Sequence, residues 1–353
     1  MSAERDLLPA GAVAALSQAY DTGRWVEWRR TPKGSANVSF FVTATSGRYV
    51  LRRSGARKSR AALEFEVAVI DYLRRCGYPA PEVIRTRAGR GYAEHDGALY
   101  LLTRFIPGDP YDPDDARHLA AAGRGLALYH RLARRFPGWP LRLGPLSLAA
   151  LGCAGPARLA EAAGLARPLL EPGERPRFDE ACAYLRAQFA TVHRELAARS
   201  RALDRLVIHG SFGRSALIFA GERLAGVVDY DRAAYELRGL DLAYTAKAFC
   251  RVHDRARPDY RIGLDYDRCR ALMAAYREVE RLSPETAGAL PVVLRAQRLR
   301  KVLTKCANFV TKHAAAPQGP KDARKLATMA AREGARLSWL ERNGRPLAEA
   351  LAG

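Results

Sequence analysis

One segment constrains the fold of this chain more than any other: Leu206–Lys247, LVIHGSFGRSALIFAGERLAGVVDYDRAAYELRGLDLAYTAK. It holds three short apolar runs. The first ends at His209-Gly210, the second is Ala216-Leu217-Ile218-Phe219, and the third runs from Ala225 to Val228 and ends on Asp229. Runs of this length, broken by glycine and charged turns, read as strands of a small β-structure. Loops at the ends of such strands commonly present chemistry. His209, Ser211, Asp229 and Asp231 stand at or near those ends.

The rest of the chain divides into a strand-rich start and a helical remainder. Residues 10–22 read as a short helix. Trp25–Trp28, Val38–Val42 and Tyr49–Arg52 read as strands of a meander, with turns at Thr31–Asn37 and Ser46-Gly47. Ala61–Cys76 puts Leu63, Val67, Ile70 and Leu73 on one helical face. Gly77–Pro81 ends that helix, because proline cannot continue it. A hairpin turning at Glu94–Gly97 leads into an apolar strand, Ala98–Ile106. Beyond it, 114–136, 179–201, 241–253, 266–282, 288–315 and 321–343 read as helices, and 137–172 reads as irregular. His130 lies mid-helix between apolar residues and is expected to pack in the core. Arg57, Lys58 and Arg60 are expected in a solvated loop.

The order of these motifs resembles the superfamily of aminoglycoside phosphotransferases, choline kinases and homoserine kinases. In that superfamily the catalytic loop runs His-Gly-Asp, with Asn five residues after the Asp. Here it reads His209-Gly210-Ser211, with Ala216 at the Asn position. The metal-binding strand corresponds to Val227-Val228-Asp229-Tyr230, and the Asp-Leu-Ala that follows corresponds to Asp241-Leu242-Ala243. Gly34, Asn37 and Val38–Val42 match the Gly-x-x-Asn turn and strand. Arg52 stands at the basic strand position, Glu66 at the helix glutamate that pairs with it, and Phe105-Ile106-Pro107-Gly108 at the hinge. The resemblance spans residues 34 to 243. It implies an α+β, two-lobed protein-kinase-like fold, with a β-rich N-lobe (1–106) and a mainly helical C-lobe (107–353). It also implies ATP and Mg2+ as ligands, with Ser35, Asn37, Arg52 and Glu66 beside the nucleotide and Asp229 on the metal.

Two departures bear on activity. Ser211 occupies the base position, and a serine hydroxyl does not accept a proton at neutral pH as a carboxylate does. Ala216 has no donor atom for magnesium. Of the Asp, Asn and Asp that kinase chemistry uses, Asp229 alone remains. The first expectation is therefore a pseudokinase-like binding or accessory subunit, with ATP and Mg2+ binding weak or absent, in a natural-product or peptide-modification pathway. The second is an ATP-dependent O-phosphotransferase for a small molecule or peptide, with Asp231 approaching the acceptor hydroxyl in a rearranged site. The third is a nucleic-acid-binding protein that uses a basic surface.

Charge narrows the partners. The 58 basic against 37 acidic residues give a net +21, which attracts anions. It argues against polycationic aminoglycosides, whose site needs a carboxylate-rich cleft. Arg295, Arg298, Arg300, Lys301, Lys305, Lys312, Lys321, Arg324 and Lys325 face a single acid, Asp322, in their stretch. They form either a solvated face or a docking surface for an acidic protein or peptide. Aromatic residues for base stacking are sparse there, which disfavours nucleic acid. No apolar run is long enough to span a membrane. The segment MSAERDLLPAG lacks the pattern of a secretory signal, and six cysteines are scattered without a Cys-x-x-Cys pair. A reduced, cytoplasmic location is expected.

Overall fold

The computed structural model describes Leu8 and residues 10–32, 37–56, 58–138 and 150–352. Its elements begin with helix α1 (Ala10–Ala19), strands β1 (Trp25–Arg30), β2 (Val38–Ala44) and β3 (Gly47–Arg53), and helix α2 (Arg60–Arg75). Strands β4 (Ala93–His95), β5 (Ala98–Arg104) and β6 (Asp109–Pro110) precede helices α3 (Ala116–Ala133), α4 (Gly155–Ala166) and α5 (Arg175–Arg199). Strands β7 (Arg205–Ile208), β8 (Leu217–Ala220), β9 (Arg223–Val227) and β10 (Ala234–Leu237) come next. Helices α6 (Arg238–Phe249), α7 (Tyr266–Arg277), α8 (Pro284–Ala315), α9 (Pro320–Arg342) and α10 (Gly344–Ala352) close the described chain.

Two compact units result. The first comprises the described residues of Met1–Asp112, Arg131–Arg142 and Ser215–Ala233; the second comprises those of Pro113–His130, Leu143–Arg214 and Ala234–Gly353. The first is built on an antiparallel sheet in the order β1-β2-β3-β5-β4. Side chains alternate across a strand, so one face can be apolar throughout. Phe40, Val42 and Ala44 of β2, with Tyr49 and Leu51 of β3, are buried in one core with Leu16 and Tyr20 of the α1 segment. Ser39, Phe41 and Thr43 take the opposite face. Helix α2 starts where Ser59 Oγ accepts the Ala62 N–H at 3.2 Å, a cap worth about 1 kcal/mol. Its expected apolar residues, Leu63, Val67, Ile70 and Leu73, are all buried. A three-stranded ladder, β6-β8-β9, completes this unit.

The second unit is helical around the β7-β10 pair. Residues 155–166, expected to be irregular, form α4. Pro156 lies in its first turn, where the missing N–H removes no helix bond. Leu159, Ala162 and Ala166 are buried along one face. Small residues give little amphipathic contrast, which is why the periodicity was not readable. The basic run also sits differently from its expected surface placement. Arg295 and Arg298 recur with Val302 at the i, i+3, i+7 spacing of an inward helical face, and all three are buried. Arg295 donates to Gln188 Oε1 at 2.9 Å and pairs with Glu195 at 2.9 Å. Arg300 is half-buried, and Lys301, Lys305 and Lys312 remain exposed. Among the described residues no helix is long and apolar enough to cross a membrane.

The β6-β8 junction depends on one glycine. Gly108 has φ +146°, and a Cβ there would lie 2.3 Å from the carbonyl oxygen of Phe219. Asp109, the next residue, pairs with Phe219, so the two backbones cannot separate without breaking the ladder. Gly108→Ala should lower unfolding stability by about 2 kcal/mol or more, read as a shift of the urea midpoint. An unchanged midpoint would show that the junction yields freely.

Candidate active site

In the first unit, β3 carries Arg52 and α2 carries Glu66. Arg52 Nη2 lies 2.7 Å from Glu66 Oε1, the ion pair expected from the sequence. The contact lies off the N–H direction. Arg52 Nε and Nη2 are buried with no hydrogen-bond acceptor among the described residues. Burial pushes the guanidinium down, but Glu66, Asp231 and Asp229 outweigh it, so Arg52 stays charged.

A second cation joins Glu66. Lys58, expected in a solvated loop, has only 10% of its side chain exposed and pairs with Glu66 Oε2 at 2.7 Å. Its ammonium also donates to the Asp231 carbonyl at 3.2 Å. A tight turn, with Lys58 N–H on the Gly55 carbonyl at 2.9 Å, directs the side chain inward just before the Ser59 cap. Asn37 ties this turn down: its Oδ1 accepts the Gly55 N–H at 3.0 Å and its Nδ2 donates to Asp231 Oδ2 at 2.8 Å. Asp231 therefore serves here as a partner of Asn37 and the cations. Burial pushes its carboxyl up, but Lys58, the Asn37 bond and Arg52 prevail and hold it below its ordinary value. A carboxylate so held is a weak proton acceptor. Ser35 and Arg57 lie outside the described residues.

Asp229 ends the β9 segment with φ 70° and ψ 55°. Few non-glycine residues adopt this left-handed geometry, and aspartate is among the more tolerant. The strand end is fixed by Val227 N–H on the Pro79 carbonyl and Val228 N–H on the Ala216 carbonyl, both at 2.8 Å. Ala216 is buried, its methyl offering no ligand. Among the described residues no group of three or more His, Cys, Asp or Glu side chains could hold a metal.

In the second unit, β7 leads into the loop His209-Gly210-Ser211. Asp241, in the first turn of α6, accepts the His209 N–H at 2.6 Å and the Gly210 N–H at 2.7 Å. Its Oδ2 also lies 3.2 Å from His130 Nε2, and His130 Nδ1 lies 2.7 Å from the Tyr276 hydroxyl. The Arg238 Nε donates to that hydroxyl oxygen at 2.9 Å. Donor accounting fixes the protons: Arg238 donates to Tyr276, Tyr276 O–H donates to His130 Nδ1, and His130 Nε2–H donates to Asp241. Burial pushes His130 down despite Asp241, keeping it neutral. Burial likewise raises Tyr276, keeping it protonated despite Arg238. Arg238 is fully buried and pairs with Asp204 at 3.1 Å and Glu280 at 3.5 Å.

His209 is fully buried, with its ring against Tyr129 and Phe212 at 5.7 and 5.6 Å. Its Nδ1 accepts the Ser211 N–H at 3.3 Å and lies 3.4 Å from Ser211 Oγ. Ser211 is itself buried. Lys58 was expected to be solvated, and Arg238 and Tyr276 were not singled out from the sequence. Arg238 precedes Asp241 by one helical turn, which is the only local signal among them.

The antiparallel sheet of the first unit and the helical second unit, with its braced His-Gly loop, define the protein-kinase-like phosphotransferase fold. The chain belongs to the phosphotransferase enzyme family, whose APH model matches residues 27–279. It is 28% identical over 323 residues to a homoserine kinase of Methylorubrum populi, covering 88% of this chain and 89% of that protein. It is 29% identical over 304 residues to one of Beijerinckia indica, covering 86% and 87%. In fold it is similar to the amicoumacin kinase hAmiN in complex with AMP-PNP, Ca2+ and Ami, with TM-score 0.65, 12% identity and 94% of both chains covered. A microcompartment-associated aminopropanol kinase matches with TM-score 0.65 and 17% identity over 96% of this chain and 99% of that one.

The bracing network makes stability pH-dependent. His130 is depressed in the folded state, whereas an unfolded histidine titrates near about 6.5. Between those values the unfolded chain binds more protons, so stability falls as pH drops below about 6.5. The urea midpoint should fall between pH 7.5 and 5.5, and His130→Gln should fall less over that window. Equal slopes would remove His130 as a source.

Proposed function

We propose that this chain binds a nucleoside triphosphate with magnesium but transfers its phosphoryl group poorly or not at all, acting as a pseudokinase-like binding subunit. The observation that carries the reading is Arg52, whose Nε is buried without a hydrogen-bond acceptor among the described residues while Nη2 pairs with Glu66. Buried guanidinium donors left unsatisfied are costly, and phosphate oxygens suit them. Lys58, held beside Arg52 by Glu66, adds a second cation. Magnesium keeps most of its water and needs few protein carboxylates when phosphates assist, so Asp229 is a sufficient protein ligand. When bound, the metal would neutralise phosphate charge. The residues of this chain would orient the triphosphate.

The transfer machinery is thinner. Ser211 offers no carboxylate at the base position, Ala216 offers no ligand, and Asp231 is engaged by Asn37. A positioned base is typically worth 10²–10⁴-fold. The basic surplus, with Lys305 and Lys312 exposed, suits an acidic peptide as partner, such as a peptide-modification pathway supplies. A second reading, a slow O-phosphotransferase for a small hydroxyl compound, draws support from the near full-length likeness to homoserine kinases.

Calorimetry with ATP, with and without magnesium, separates these readings from a vestigial site. Asp229→Ala should abolish the magnesium-dependent part of the affinity. Unchanged affinity in that variant would remove Asp229 as the ligand. Ser211→Ala should leave nucleotide affinity within about twofold, because Ser211 is assigned no contact with phosphate. Stoichiometric ADP release from a panel of amino alcohols and hydroxy acids, lost in Ser211→Ala, would overturn the pseudokinase reading.

A further inference from the structure

The sheet of the first unit ends on a strand that is covered on one side only. In the order β1-β2-β3-β5-β4, β1 pairs with β2 and has no strand beyond it among the described residues. Val26 and Trp28 of β1 are 58% and 40% exposed, the only large hydrophobic side chains so placed among the described residues. The ladder to β2 fixes which main-chain groups face outward. Thr31 N–H bonds the Ser39 carbonyl at 2.9 Å, and Arg29 and Glu27 stand opposite Phe41 and Thr43 in the same register. In an antiparallel pair, bonded and non-bonded residues alternate. Thr31, Arg29 and Glu27 therefore turn their main chain toward β2, and Trp28 and Arg30 turn theirs toward the open edge. A bulge between Trp25 and Glu27 marks the start of this regular stretch.

The side chains divide by face. Trp28 stands opposite Val42, on the side of the buried core. Glu27 and Arg29 lie on the other face, with the Arg29 guanidinium 5.2 Å from the centre of the Phe41 ring. Both are exposed, and neither has an ion-pair partner in its own chain among the described residues. An open edge is a template for a further strand, and the sequence of β1 suits a copy of itself. Outward main-chain groups bond only to outward ones, so a two-fold pairing must centre on a residue of the strand. Centred on Glu27 or on Arg29, it sets like charges directly opposite, which is destabilising. Centred on Trp28, it sets Glu27 of each copy opposite Arg29 of the other and brings the two indoles face to face across the axis.

We propose that β1 is the docking edge for a second copy of this chain, joined antiparallel about Trp28 into one continuous sheet. Trp28 exchanges its N–H and C=O with its counterpart. Each Glu27 carboxylate meets the Arg29 guanidinium of the other copy, and the paired tryptophans cover each other at the margin of the core. The net charge of +21 opposes association, but Arg24 and Arg30 lie toward the ends of the paired segment. At about 0.15 M salt, exposed charges more than about 8 Å apart are largely screened. A ladder this short buries less than a permanent dimer interface does, so the pairing is reversible.

The test is sedimentation velocity on the full chain, without nucleotide, so its outcome is independent of the nucleotide reading. Loadings run from about 2 to about 200 µM, because mass action shifts a reversible dimer with concentration. Wild type should pass from monomer toward dimer over that range. Glu27→Arg and Arg29→Glu should each weaken the dimer about tenfold, since each sets like charges across the axis. The double variant should return to within about threefold of wild type, because it restores opposite charges with their places exchanged. An equimolar mixture of the two single variants should form a heterodimer for the same reason. Melting curves confirm folding, and Trp28→Thr, which should also weaken the dimer, serves if a charge variant does not fold. A wild type that stays monomeric throughout would overturn the proposal and leave the edge to a strand of another protein. A dimer that neither charge variant weakens, or that the double variant fails to restore, would overturn it too.

Discussion

The Asp241 carboxylate is the interaction on which the His209 loop depends. It is fully buried, and a buried charge survives only when its lone pairs are taken up. The amides of His209 and Gly210 do this at 2.6 and 2.7 Å, and His130 supplies the next donor. Topology makes the arrangement accessible. β10 pairs with β7 and runs without a break into α6, so Asp241, in the first turn of that helix, meets the loop leaving its partner strand. Gly210 turns there with φ 77°, a conformation that glycine adopts at little cost. Arg238, from the same helical turn, closes the far side of the network through Tyr276.

What the sequence revealed follows from which forces act locally. Alternation in β2 and β3 and the helical face of α2 are properties of neighbouring residues, so the sheet and its flanking helix were legible. The Arg52–Glu66 pair was legible through the family resemblance, which places a basic residue on the strand and its partner glutamate on the helix. Lys58 was not, because a lysine in a polar turn looks solvated until the Gly55 turn and Asn37 are known. Helix α4 was hidden by its alanines and glycines, which show no contrast between faces. Nor could the sequence tell which cations of α8 face inward. Arg295 and Arg298 have the spacing of core residues and the chemistry of surface ones, and only their partners Gln188, Glu195 and Glu333 settle the matter.

Net charge is accordingly a poor guide to surface charge here. Arg238 is buried and compensated by Asp204 and Glu280. Arg295 is buried and held by Gln188 and Glu195. The same guanidinium chemistry thus yields a rigid brace where several acids balance it and a shared carboxylate where three cations meet Glu333. Composition records the number of arginines but not this difference.

The fold of the His209 loop and the chemistry of its third residue are separable for a physical reason. Asp241 grips main-chain amides, and every residue but proline supplies an amide. His209 Nδ1 likewise accepts the main-chain N–H of Ser211. No part of the brace requires a carboxylate at position 211. A serine there leaves the loop geometry intact while removing the group that would accept a proton. Ala216 is neutral in the same sense: its carbonyl still accepts from Val228 N–H, whatever its side chain. Arg52 is different, since its buried, unpartnered Nε and the left-handed backbone of Asp229 both cost free energy in the folded chain. The costly features are the ones a bound nucleotide and metal would offset, and the missing ones cost the fold nothing. That asymmetry is the support for the proposed reading, in which the chain binds a triphosphate and transfers it poorly.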